Sequence, residues 1–145
     1  MKLLIVHLSD IHFCNKNNAL LNKKNELCNA VRNNVKEADG TIIIVSGDIA
    51  YSGKKEEYQI AEEFFTELLL ELENHTNALI QYLFVPGNHD CDFSLNESVR
   101  KILLRDTSEN VDEDVLSVYT AVQEDYNTFA KKFNTNTEVS SLLYN

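Results

Sequence analysis

The chain has 145 residues, 43% of them apolar, enough for one domain with its own core. Acidic residues outnumber basic ones 23 to 13, and the formal charge of -10 argues against long-range attraction to nucleic acid or to an anionic membrane surface. Three cysteines, Cys14, Cys28 and Cys91, form neither a disulfide framework nor a zinc-knuckle spacing and fit a reducing, cytoplasmic setting.

In chain order, KLLIVHLS (Lys2 to Ser9) is aliphatic and β-branched without clean alternation, the pattern of a strand buried on both faces of a parallel sheet. His7 interrupts the run and Asp10 ends it too early for a signal-peptide core; no later stretch is long enough to span a bilayer. The cluster DIH, Asp10 to His12, follows at once. Leu20, Leu27, Val31, Val35 and Ala38 then recur at helical spacing. TIIIVS (Thr41 to Ser46) reads as a second buried strand, with Gly47 and Asp48 at its end. Tyr58, Ala61, Phe64, Phe65, Leu68, Leu69 and Leu72 lie on one stripe of a second helix, and LIQYLFV (Leu79 to Val85) is a third strand that runs into PGNHD, Pro86 to Asp90.

The order βαβαβ implies right-handed crossovers and a parallel sheet, so each polar cluster sits at the C-terminal edge, where open α/β sheets place ligands. After Asp90 the pattern turns helical. A short helix is expected within DFSLNESVRKILLRD and a longer one through VLSVYTAVQEDYNTFAKKF, with Val115, Val118, Tyr119, Val122, Phe129 and Phe133 on its apolar face. Asp112, Glu113 and Asp114 open that helix and Lys131 and Lys132 close it, as the helix dipole favours. The expected organisation is a single α/β domain over 1–145: a motif-bearing core over 1–92 and a mainly helical extension over 93–145, whose tail begins an apolar run and stops as if truncated.

The three clusters suit metal-assisted phosphoester hydrolysis, which needs carboxylates to hold ions and neutral donors that leave positions open for water and phosphate oxygens. Asp10 and His12, two apart on an extended strand end, leave the backbone on the same side and can grip one ion. Asp48 is the candidate bridging carboxylate, and the Asn88 carboxamide adds a ligand without negative charge. Gly47 and Gly87 precede two of these ligands, where the backbone must turn tightly. His89 follows Asn88 and would face bound substrate as a charge stabiliser or proton donor, with Asp90 orienting it.

LSDIHF, GDIAYSG and VPGNHD in this order resemble the N-terminal half of a calcineurin-like metallophosphoesterase, most closely the cyclic-nucleotide-phosphodiesterase-like branch. The resemblance covers residues 3–92. It implies the N-terminal part of a four-layer αββα sandwich and two divalent metals, Mn, Fe or Zn, with Asp10, His12 and Asp48 on the first and Asp48 and Asn88 on the second. It implies His89 acting on the scissile phosphate, with metal-activated water as nucleophile, and a phosphodiester or phosphorylated small molecule as substrate. The family pattern also includes a later lone histidine and a G-H-x-H segment, whereas the histidines here are His7, His12, His75 and His89. The expectation is therefore a chain that holds at most one ion well and turns over weakly alone, the remaining histidines coming from a missing C-terminal half or a partner chain.

Two alternatives stay open: a non-catalytic interaction fragment of such a domain, and a nuclease of the same superfamily, against which the charge counts. Asp10 and Asp48 can instead be caps for the helices that follow. His7 reads as a core residue or one that supports a ligand rather than as a ligand itself, and His75 as a solvated helix end. GDIAYSGKK departs from a P-loop, because five residues separate Gly47 from Gly53 and Lys54 precedes Lys55.

Overall fold

A computed structural model describes residues 1–14, 18–106 and 112–133. Strands β1 (Leu3–Leu8), β2 (Gly40–Ser46) and β3 (Leu79–Val85) form a parallel sheet in the order β1-β2-β3. Leu3 pairs with Gly40 and Gly40 with Leu79, so the strands are in step and their C-terminal ends finish at one edge. The connections are helical: α1 (Ala19–Asn22) and α2 (Lys24–Glu37) after β1, then α3 (Lys55–Glu73) after β2.

The first crossover was expected as one helix and is two. The ladder breaks at Lys23, whose backbone (φ -110°, ψ 15°) is not helical. Asn18 starts α1 by accepting from the amides of Leu20 (2.8 Å) and Leu21 (3.3 Å), while its Nδ2 donates to the carbonyls of Ile11 (2.7 Å) and His12 (3.1 Å). One buried side chain thus caps a helix and pins the loop that carries DIH. The capping alternative for Asp10 and Asp48 is not what the fold uses, since the N-cap of α1 is Asn18 and that of α3 is Lys54.

The expectation that the strands are buried on both faces is corrected. Along β1 burial alternates, with Leu4, Val6 and Leu8 packed against the core while Leu3 and Ile5 are exposed, and β3 repeats the pattern with Tyr82 and Phe84 inside and Leu79 and Leu83 outside. The reason is topological. Strand order follows chain order without reversal, so two right-handed crossovers step in the same direction and lay α2 and α3 on one face. Val31 and Val35 of α2 and Phe64, Phe65, Leu68 and Leu72 of α3 share a core with Ile43, Val45, Tyr82 and Phe84.

Beyond residue 92, α4 (Glu97–Asp106), α5 (Glu113–Thr120) and α6 (Glu124–Phe133) follow. The long helix expected over 115–133 is α5 and α6 joined by a single 3-10 turn at Ala121–Gln123. Asp112 caps α5 by accepting from Val115 N at 2.9 Å. α6 belongs to the same core: Tyr126, Phe129 and Ala130 are buried, and the Phe129 ring lies 4.9 Å from Phe84 and 5.4 Å from Tyr58. The apolar tail falls outside the described residues. Among those described, no helix is long and apolar enough to cross a membrane.

Candidate metal centre

Past the strand ends the backbones stay hydrogen-bonded. Gly47 N donates to Val85 O (2.8 Å), His12 N to Asp48 O (2.9 Å) and Phe13 N to Ile49 O (2.8 Å), and Phe13 bridges Ala50 in parallel register. The loops bearing DIH and GD therefore extend the sheet, while GNHD leaves it in a 3-10 turn at Asn88–Asp90. Asp10, His12 and Asp48 all adopt left-handed backbone, with φ of 52°, 53° and 53°, and among the described non-glycine residues only Asn96 shares it. Such a conformation costs of order 1 kcal/mol per residue and gathers at functional sites. Gly47 (φ +80°) reverses the chain beside Asp48 at low cost.

Three side chains converge. Ligand atoms of His12, Asp48 and His89 all lie within 4.8 Å of one another, and the His12 and His89 ring centroids are 4.7 Å apart. His12 Nε2 stands 4.0 Å from Asp48 Oδ2, beyond hydrogen-bond reach, and His12 Nδ1 is buried without a hydrogen-bond partner among the described residues. An imidazole engaged by no nearby protein acceptor, beside a half-buried carboxylate, fits a divalent-ion ligand set.

Asp48 is tied down from the other side. Its Oδ1 accepts from His89 N at 3.0 Å, and the backbone of Gly87 passes so close that an added Cβ would sit 2.2 Å from that oxygen. Asp10 is exposed and lies outside the group of three, with its amide donating to Gly47 O at 3.3 Å. Asn88 is also exposed and opens the 3-10 turn Asn88–Asp90.

The His89 ring meets Tyr51, where the sequence reading expected Asp90. Its Nδ1 lies 2.6 Å from Tyr51 O; a carbonyl only accepts, so Nδ1 is the donor of that bond. The Tyr51 ring flanks the site, 5.8 Å from His89 and 6.1 Å from His12. Asp90 is fully buried and accepts from Ile49 N (3.1 Å), Ala50 N (2.8 Å), Gly87 N (2.8 Å) and Tyr58 OH (3.0 Å). His7 is bonded to Ser46 Oγ at 2.6 Å on the open sheet face, which corrects the core alternative for it, and His75 lies 3.4 Å from Glu71 near the end of α3.

Sequence reasoning missed Asn18, the Tyr51 carbonyl and Tyr58. A backbone acceptor leaves no trace in residue types. Tyr58 did leave one, since a tyrosine on an otherwise apolar helix stripe must find a partner for its hydroxyl.

Residues 3–143 match the family model described as calcineurin-like phosphoesterase. The chain is also 33% identical over 93 residues to a glycerophosphodiester phosphodiesterase, GpdQ, of Enterobacter lignolyticus (strain SCF1). That alignment covers 61% of this chain and 30% of the relative, so the chain spans under a third of the relative's length.

Proposed function

Because the chain belongs to the calcineurin-like phosphoesterase family, a family of divalent-metal-dependent phosphoester hydrolases, we propose that it is a metal-dependent phosphodiesterase domain with its centre at the sheet edge. The observation that carries this is the convergence of His12, Asp48 and His89 at the ends of three parallel strands. The similarity to a glycerophosphodiester phosphodiesterase supports a phosphodiester as substrate. Buried thiols at Cys28 and Cys91 support a reducing, cytoplasmic setting.

In this reading Asp10, His12 and Asp48 would hold one divalent ion, and Asp48 and Asn88 would be this chain's contribution to a second. Mn²⁺, Fe²⁺ and Zn²⁺ all suit such a mixed donor set. A bound ion supplies Lewis acidity toward a phosphoryl oxygen and lowers the pKa of water. A second ion would find two ligands here, Asp48 and Asn88, so this chain would hold at most one ion well and turn over weakly by itself. His89, steered by Tyr51 O, turns Nε2 toward substrate; protonated, it stabilises the phosphoryl charge and hands its proton to the leaving oxygen.

Calorimetric titration with Mn²⁺ tests the centre: about one equivalent for wild type, and none for Asp48→Ala. Hydrolysis of bis-p-nitrophenyl phosphate with saturating Mn²⁺ tests the chemistry, where His89→Ala is expected to lose about 100-fold or more. Equal hydrolysis by wild type, Asp48→Ala and His89→Ala refutes the enzymatic reading. Metal uptake without hydrolysis by any form favours the non-catalytic alternative.

A further inference from the structure

Asp90 is 0% exposed, and among the described residues four donors reach its carboxylate. Each oxygen takes two hydrogen bonds: Oδ1 from Ala50 N and Tyr58 OH, Oδ2 from Ile49 N and Gly87 N. Those donors come from three places in the chain. Ile49 and Ala50 follow Asp48 on the loop after β2, Gly87 precedes Asn88 on the loop after β3, and Tyr58 belongs to the first turn of α3. Because His89 N also binds Asp48 Oδ1, any slip between the two loops changes the distance between the Asp48 carboxylate and the His89 ring.

We propose that Tyr58 is a positioning residue for the metal centre, acting through Asp90 to lock the GD loop against the GNHD loop. The proposal rests on the reading of the sheet edge as a metal centre, with His12 and Asp48 as ligands and His89 beside them. The Tyr58 hydroxyl has little freedom. Its ring is 4% exposed, centred 5.4 Å from Phe129 and 6.3 Å from Tyr126 of α6, and its oxygen also lies 3.1 Å from the Asp90 carbonyl. Burial first, and the Asp90 charge after it, push its pKa well above the ordinary phenol value, so it stays a donor. Packing explains an aromatic ring at position 58; the hydroxyl is explained by the carboxylate it serves. Without it, Oδ1 keeps a single donor in a site closed to water, and the geometry of both loops relaxes.

The test compares wild type, Tyr58→Phe and Tyr82→Phe. Tyr82 is an internal control of the same chemistry, since its buried hydroxyl donates to Phe65 O (2.8 Å) and touches neither loop. Co²⁺ is titrated by its d–d absorption, and amide exchange is followed by NMR. Tyr58→Phe is expected to bind Co²⁺ about tenfold more weakly, with a shifted absorption band. Exchange should speed up at Ile49, Ala50 and Gly87 relative to Ile43 and Val45, and Tyr82→Phe should show neither effect. Tyr58→Phe with wild-type Co²⁺ affinity, band and loop exchange overturns the proposal while the metal centre stands, as does equal weakening by Tyr82→Phe. A wild-type chain that takes up no Co²⁺ fails the metal reading itself, and the proposal falls with it.

Discussion

At the scale of single residues, the site is built by close approach more than by unusual chemistry. Gly87 has an ordinary extended backbone (φ -104°), so nothing in its torsions requires glycine. What requires it is Asp48, because a Cβ on residue 87 would meet Asp48 Oδ1 at 2.2 Å and Asp48 N at 2.6 Å. Gly87→Ala must therefore displace the carboxylate or the loop. The expected cost is about 1–3 kcal/mol of stability, typical of overpacking, together with loss of Mn²⁺ uptake. Urea denaturation and calorimetric titration of the variant measure the two, and intact Mn²⁺ binding would contradict the geometry. The candidate residues at this edge were legible in the sequence because carboxylate and imidazole groups stand out after an apolar run. The choice among them was not, since the grouping of His12 and Asp48 with His89 depends on loop backbones that turn through left-handed torsions.

At the scale of elements, the start of α3 and the segment after GNHD are stitched together by charge. Glu57, buried within the first turn, accepts from Ser52 N (2.8 Å) and Lys54 N (3.1 Å), the reciprocal half of a capping box. Lys54 in turn reaches Asp92 at 3.2 Å. Burial pushes the Asp92 carboxyl up, but hydrogen bonds from Ser94 and Lys54 outweigh it and leave it below its ordinary value. A carboxylate whose pKa is depressed by folding stabilises above its unfolded pKa, about 4, and the contribution fades as pH falls through the folded value. Asp92→Asn is thus expected to be less stable than wild type in urea at pH 7, with the gap narrowing as pH falls below the unfolded carboxyl range of about 4. A gap that stays constant with pH would remove the ionic contribution. Helical periodicity revealed α2, α3 and α6, since it counts apolar side chains. It could not reveal the break at Lys23 or the 3-10 turn at Ala121–Gln123, which interrupt backbone ladders while the apolar spacing runs on.

At the scale of the whole molecule, the consequence of the β1-β2-β3 order is a sheet with unlike faces. Continuous aliphatic strands were read correctly as parallel, but residue types alone do not say on which side crossovers land; that follows from strand order, which three strands without a reversal settle. Neighbours on β3 expose the asymmetry. Phe84 is 6% exposed and ringed by Phe65, Tyr82, Phe129 and Phe133, whereas Leu83, one residue earlier, is 48% exposed on the other face. Phe84→Ala is expected to cost about 3–5 kcal/mol, the range for deleting a core aromatic ring. Leu83→Thr, which removes an apolar side chain already half in water and puts a strand-favouring β-branched residue in its place, is expected to stay within about 0.5 kcal/mol of wild type. Urea denaturation of both variants measures the difference directly. A Leu83→Thr penalty approaching that of Phe84→Ala would mean that the aliphatic face of Leu3, Ile5, Leu79 and Leu83 is covered in solution, which is the condition in which parallel sheets are ordinarily found.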